Sequence, residues 1–560
     1  MWNKSFMKTS TSFLWLCIIF TIIGCTNKTQ YTGAVVSGHP EATQIGIHVL
    51  ENGGNAIDAS IAVQLALAVC LPNAGNIGGG GFMVYRTNDG KSYTLDFREK
   101  APKKSTKDMY LNSNGDIIDS LSTYGSLSVG IPGTIDGIFN SHKRFGKMSI
   151  DTLFNYAIEL ARKGFPVTKK QAKALNYYQK DFIKFNPNNS YFQSENWIEG
   201  DTLRQIDLSK TLEIIRDNGR KGFYEGEVAQ SIVQTTKQDG IISLSDLKEY
   251  KAIWREPITL NFGHYKLISM PPPSSGGIAL SQLFMMLSNF DLDTIQHNST
   301  QYIHLLAEIE KRVYADRAMH LGDMDYYNVP INRLMNFEYN KNRSKNIDFN
   351  QATASNQILN GEFLETESEE TTHFSIMDKY GNAVSVTTTL NTSYGSKVFV
   401  NSRGFLLNNE MDDFSSKPGH PNIYGLIGSK ANAIEPEKRM LSSMTPTIIE
   451  KNGDLFLIVG TPGGSTIITS VFQTILNVIL FNMEIQAAVD TPRFHHQWKP
   501  DNIYIEQSLS SHSLLDSLLN MGHETKIRNS IGHVNAILCN ENVNVGADKR
   551  GDNSGKVINK

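Results

Sequence analysis

Cysteine is scarce in this chain of 560 residues, with four in all, and so are long apolar runs and any surplus of one charge. Cys17 and Cys25 belong to the N-terminal segment, which leaves Cys70 and Cys539, too few for the disulfide framework that staples small exported domains. Both sit in apolar stretches, Leu67-Ala68-Val69-Cys70 and Ala536-Ile537-Leu538-Cys539, where a free cysteine behaves as a small core residue. A net charge of −3 without a long Lys/Arg stripe excludes a nucleic-acid partner. Several catalytic and nucleotide signatures are also missing. Gly75-Asn76-Ile77-Gly78-Gly79-Gly80-Gly81 has neither GxGxxG nor GK[ST], and it precedes a strand where those motifs precede a helix. Its glycines read instead as positions where backbones approach closely. Ser465 lacks the closing Gly of GxSxG and Ser128 the opening one, so there is no nucleophile elbow. His495 and His496 are adjacent and cannot share one helix face as in HExxH, and no Cys/Asp cluster accompanies them. No metal and no cofactor are expected.

What is present is an ordinary globular composition, 40% hydrophobic and 19% charged, enough for a large core. The one long apolar run, residues 13–23, follows Lys4 and Lys8 and closes on Gly24-Cys25. It falls short of the ~20 residues that span a bilayer, and its order of charged, apolar and small sections predicts a signal peptide over residues 1–24. Ile22-Ile23-Gly24-Cys25 is similar to the bacterial lipobox, which makes Cys25 the expected lipid attachment point and the mature protein a membrane-anchored lipoprotein. Met7 is as good a start as Met1.

Helices are predicted over residues 39–51 and 55–69, with Ile57, Ile61, Leu65 and Val69 at helical spacing. Strands are predicted over 82–85 and 93–97, joined through Asp89-Gly90, and residues 148–325 read as mostly helical. Strand pairs return at 445–449 and 455–459, and Gly463-Gly464 opens a helix over about 465–481. A strand that turns through two glycines into a helix offers backbone N–H groups to a developing oxyanion.

The densest information lies around Thr371. Residues 361–370 carry five Glu among Thr and Ser and read as an exposed loop. Phe374-Ser375-Ile376-Met377 and Ala383-Val384-Ser385-Val386-Thr387 then flank Asp378-Lys379-Tyr380-Gly381-Asn382 as a hairpin. Cleavage before Thr371 would place a hydroxyl and a free α-amine on one residue at a sheet edge. An α-amine titrates near ~7.7–8.0 and can serve as the base that a weak threonine nucleophile needs. Taken locally, Thr-Thr reads equally as a β-favouring pair that opens a strand.

Nine ordered blocks extend the pattern: Asp96-Phe97-Arg98-Glu99, Val129-Gly130-Ile131-Pro132-Gly133-Thr134, Pro272-Pro273-Ser274-Ser275-Gly276-Gly277, Thr371-Thr372-His373-Phe374-Ser375, Thr389-Leu390-Asn391, Asn408-Asn409-Glu410-Met411-Asp412-Asp413-Phe414, Leu441-Ser442-Ser443-Met444, Pro462-Gly463-Gly464-Ser465 and Pro492-Arg493-Phe494-His495-His496-Gln497. On these the chain, from about Gly33 to Arg550, resembles the γ-glutamyltransferase (glutathione hydrolase) family. The resemblance implies an α+β N-terminal-nucleophile hydrolase with a four-layer αββα sandwich. It implies a precursor that cuts itself into a large subunit, 25–370, and a small one, 371–560, interwound as one domain.

By the same resemblance Thr371 is the nucleophile, Thr389 orients it, and the N–H groups of Gly463 and Gly464 hold the oxyanion. Arg98, Ser442 and Ser443 are expected on the α-carboxylate of the γ-glutamyl group, and Asn391, Glu410 and Asp413 on its ammonium. Tyr424 belongs to a lid loop, residues 418–428, which related cephalosporin acylases lack. Glu410 stands where some bacterial members have Gln, and either residue accepts a hydrogen bond. The implied partners are glutathione and an amino-acid or peptide acceptor, and the implied location is the periplasm or cell envelope of a bacterium. Two competing functions remain, a glutaryl β-lactam acylase of the same fold and a non-catalytic binding lipoprotein.

Overall fold

A computed structural model describes residues 33–118, 120–187, 196–292, 295–358 and 371–558. The predicted signal peptide, Cys25 and the acidic loop 361–370 lie outside the described residues.

Two antiparallel sheets stack face to face. The first runs in the order Ser554–Val557, Ala34–Ser37, Thr372–Met377, Ala383–Thr389, Gly80–Arg86, Ser92–Asp96, Ile253–Arg255. The second runs Val543–Ala547, Asn535–Cys539, Asp454–Gly460, Thr447–Lys451, Tyr265–Ser269, Ile258–Phe262. Alternate side chains of a strand point to opposite faces, so each sheet can bury both. The inner faces meet through Ala34, Val36, Val84, Ile268, Met377, Ile448, Ile458 and Ile537, all fully buried. Truncating one of the larger of these, Ile458→Ala, removes contacts from both sheets and costs about 2–5 kcal/mol.

Helices cover the outer faces. Ala56–Cys70 lies on the first sheet beside Pro40–Glu51, and Ile150–Lys163 packs against it. All fifteen of its residues are buried, which explains why its apolar positions run right around the helix. Asn55 caps it in a reciprocal pair with Asp58. Gly276–Leu287, Thr300–His320 and Ile467–Ile479 pack into one core with the second sheet. The layers are therefore helix, sheet, sheet, helix, the αββα sandwich expected.

Residues 148–325 are mostly helical, as expected, but they also supply the two sheets with the strands Ile253–Arg255, Ile258–Phe262 and Tyr265–Ser269. The last two form a hairpin that turns at Gly263 (φ +57°) and places Ile258 opposite Ser269. Alternation of Ile258, Leu260 and Phe262 with Thr259 and Asn261 carried that signal. Cys70 and Cys539 are both free and buried, in different core clusters. Strands from before and after residue 371 occur in both sheets.

Candidate active site

Thr371 stands one residue before the strand Thr372–Met377 and is 8% exposed. The neighbouring strand ends at Thr389, and the pairing of Thr388 with Thr372 sets Thr389 beside Thr371. Their hydroxyl oxygens lie 3.3 Å apart. The Asn391 N–H donates to Thr389 Oγ1 at 2.7 Å, which leaves the Thr389 proton for another acceptor.

The glycine cluster serves this arrangement by close approach, as expected. A Cβ on Gly79 would stand 2.1 Å from the Thr389 carbonyl oxygen, and one on Gly81 would stand 2.4 Å from that of Thr387. Asn76 completes the seam by donating Nδ2–H to the Thr389 carbonyl at 2.9 Å.

Every expected catalytic or substrate-binding residue except Gly463 lines one narrow cleft of about 270 Å³, with Leu426, Met444 and Ile467 as its apolar walls. Gly463 is next in chain to Gly464, which does line it. Both glycines have positive φ, +137° and +53°, which only glycine adopts easily. The helix begins later than predicted: Gly464–Thr466 is a 3₁₀ turn, and the α-helix is Ile467–Ile479. Thr466 explains the delay, because its N–H and its hydroxyl both donate to the Gly463 carbonyl. Among the described residues the N–H groups of Gly463 and Gly464 find no acceptor.

The charged end is more tightly coupled than the sequence implied. Arg98 is fully buried and its guanidinium pairs with Glu410 through Nη1 and with Asp413 through Nη2. Glu99 Oε2 lies 3.7 Å from the same Nη1. One guanidinium thus faces three carboxyls. Burial pushes all three up from the usual carboxylate range while Arg98 pulls them down, and Glu99 and Asp413 push Glu410 up further. Among the described residues, both carboxyl oxygens of Glu99 and Oε2 of Glu410 are buried without a hydrogen-bond partner.

Tyr424 closes the cleft. Its hydroxyl donates to the Asn391 carbonyl at 2.5 Å, and its ring lies where a Cβ on Gly464 would fall, 2.5 Å away. Asn422 Nδ2–H donates to Asp413 at 3.0 Å and the Ile423 N–H to Asp412 at 3.0 Å, so loop 418–428 is tied to the acidic segment. Thr371 also borders a second cleft of about 650 Å³, lined on its far side by Lys170, His533 and Asp552. Sequence reasoning did not find that cleft, because its walls come from helix, strand and tail segments that no motif joins.

Comparison with known proteins now decides the family. The family model for gamma-glutamyltranspeptidase matches residues 42–558. The chain belongs to the gamma-glutamyltranspeptidase family. Curated relatives agree. The glutathione hydrolase proenzyme of Pseudomonas aeruginosa is 44% identical over 534 residues, covering 94% of each chain. That of Escherichia coli is 43% identical over 510 residues, covering 90% of this chain and 88% of its own. A crystal structure of cephalosporin acylase from Bacillus halodurans superposes with a TM-score of 0.81 at 25% identity, covering 94% of this chain and 96% of its own. The αββα architecture of gamma-glutamyltranspeptidases is therefore that of the N-terminal-nucleophile hydrolases.

His495 and His496 are both buried and partnered. His495 bonds Thr469 and Gln497, and His496 bonds Asp501. Burial holds both rings neutral, pushing them down to about 3 and about 4.

Proposed function

We propose that this protein hydrolyses glutathione and related γ-glutamyl amides, or passes the γ-glutamyl group to an amine, with Thr371 as nucleophile. The observation that carries this is the bonding of Thr371 to Thr389 at one end of a cleft whose other end holds Arg98, Glu410, Asp413, Ser442 and Ser443.

In the uncut chain the nitrogen of residue 371 is an amide and cannot act as a base. Attack of Thr371 Oγ1 on the preceding carbonyl, collapse to an ester and hydrolysis of that ester would free the amine. The large subunit would be residues 25–370 and the small one 371–560. In the mature enzyme Thr371 Oγ1 attacks the γ-carbonyl carbon and its proton passes to the α-amine. The oxyanion of the tetrahedral intermediate accepts from the N–H groups of Gly463 and Gly464, a contribution of roughly 10²–10³ in rate per donor. When the C–N bond breaks, the α-ammonium returns the proton to the leaving amine. Water or an acceptor amine then attacks the γ-glutamyl ester by the same relay in reverse. The cleft beyond Thr371 suits the leaving group and the acceptor.

Asn391, Glu410 and Asp413 meet the substrate ammonium, and Arg98, Ser442 and Ser443 its carboxylate. The cephalosporin acylase likeness makes a glutaryl substrate the second reading. Glutaryl carries no ammonium, so the acidic group would stay without its cation, and the γ-glutamyl reading is preferred. Export and lipidation at Cys25 complete the reading, and a lipid mass on the N-terminal peptide tests them.

The first test is the intact mass and N-terminal sequence of the purified protein, with turnover of γ-glutamyl and glutaryl anilides. Two chains, the smaller beginning Thr-Thr-His-Phe, and preference for γ-glutamyl are expected. A single chain that stays uncut would return the non-catalytic reading, and preference for glutaryl would overturn the substrate.

A further inference from the structure

The sequence block Pro272-Pro273-Ser274-Ser275-Gly276-Gly277 has no role in the chemistry above, yet it lies directly behind the cleft. Ser274 Oγ–H donates to the Met444 carbonyl at 2.6 Å, and the N–H and hydroxyl of Ser275 both donate to the Ser442 carbonyl at 2.7 Å. The block therefore braces the segment that presents Ser442 and Ser443.

Behind it stands Arg317, on the helix Thr300–His320 and 5% exposed. Its Nε–H donates to Ser275 Oγ at 3.0 Å and its Nη2–H to Ser443 Oγ at 3.0 Å. Among the described residues no carboxylate lies within 4.0 Å of this guanidinium. A buried cation without a carboxylate partner is costly, so its charge has a use elsewhere. One turn earlier, Tyr314 donates its hydroxyl to the Ser465 carbonyl at 2.5 Å, so the same helix also backs the oxyanion turn.

The charge balance of the cleft shows what that use is. An entering α-carboxylate meets Arg98, but Arg98 already serves Glu410 and Asp413 and lies beside Glu99. A fourth carboxylate on that guanidinium alone would face net repulsion. Arg317 supplies a second positive charge at the serine end. By donating to Ser443 Oγ it also turns the Ser443 hydroxyl proton outward, free to donate to the substrate.

We propose that Arg317 is a positioning residue that gives the cleft its preference for a carboxylate at the substrate α-carbon. It acts through Ser443 and through its unneutralised charge, and the proposal rests on the γ-glutamyl reading above. The test uses the processed enzyme with γ-glutamyl-p-nitroanilide as substrate and two competitors, L-glutamate and its α-amide, which is neutral at the end in question. Arg317→Gln should raise KM at least about tenfold, with kcat within about threefold. It should also cut the ratio of the α-amide Ki to the glutamate Ki by at least about tenfold.

Arg317→Lys keeps the charge but loses the fork, and should lower that ratio about threefold. This second variant decides the matter where the Gln protein does not fold. If both Ki values rise in parallel and the ratio holds in every variant that folds, Arg317 is structural only and the proposal fails. A wild-type enzyme that does not turn over the γ-glutamyl anilide overturns instead the functional reading on which it rests.

Discussion

Two buried ion networks in this protein use the same residue types to opposite ends. Behind the C-terminal strands, Arg493 pairs with Asp548, and Arg550 pairs with Asp548 and, through two nitrogens, with Glu506. The remaining Arg493 donors meet the carbonyls of Ile531, Val489 and Gly532, and the carboxylates also accept backbone N–H groups of Ile531 and Val534. Two cations meet two anions and no polar side-chain atom of the four is orphaned. Burial opposes the ionised Asp548, but Arg493 and Arg550 win and hold it below the usual carboxylate range. In the cleft, one guanidinium faces three carboxyls, three oxygens lack partners among the described residues, and burial pushes the carboxyls up. A network that only stabilises is closed on itself. A network left short of positive charge is built to receive some.

The sharpest way to separate the two is to remove chemistry while leaving both intact. Thr371→Ala should abolish self-cleavage and lower turnover by at least about 10³-fold, with both networks left in place. Breaking the closed network should do the reverse. Arg493→Met strands Asp548 without its nearest cation and should cost about 3–5 kcal/mol of stability, read as a fall in Tm.

In the open network the cost moves to substrate. Asp413→Asn should raise KM for γ-glutamyl-p-nitroanilide by roughly 10–100-fold, from loss of a charged hydrogen bond of ~1.5–3 kcal/mol, with little change in Tm. The smallest effect belongs to Glu410→Gln, which still accepts a hydrogen bond, so KM should move only about threefold.

The raised carboxyl of Glu410 sets the signs of two pH effects. Because the acid form persists above the usual range, the wild-type KM should fall as the pH rises through that raised value and the carboxylate forms. Glu410→Gln should flatten that slope. For stability, a folded-state pKa above the unfolded one means that the contribution is present at low pH and lost as the pH rises through the folded value. At neutral pH the Glu410→Gln substitution should therefore leave Tm equal or slightly raised.

Much of this was legible in the sequence, and the rest was hidden for definable reasons. The buried helix Ala56–Cys70 announced itself by its spacing, and the hairpin after Thr371 by its turn residues. The cleft residues other than Tyr424, Leu426 and Ile467 lie in six of the nine ordered blocks. The direct pairing of Arg98 with Glu410 and Asp413 was not visible, since sequence distance says nothing of which charges meet. Arg317 escaped for a further reason. Its helix carries Glu308, Glu310, Lys311, Arg312 and Asp316, all buried, and a run so rich in charge reads as a solvated face.

The interleaving of strands on either side of residue 371 has a consequence for molecularity. Ala34–Ser37 is hydrogen-bonded to Thr372–Met377 on one side and Ser554–Val557 on the other, and Tyr265–Ser269 is bonded to Thr447–Lys451. Before the cut, unfolding turns one molecule into one disordered chain. After it, the same native contacts hold two chains together, and unfolding releases both. The midpoint of the processed protein should therefore climb with protein concentration while that of the precursor does not. Self-cleavage thus changes the law that governs stability without rearranging the fold.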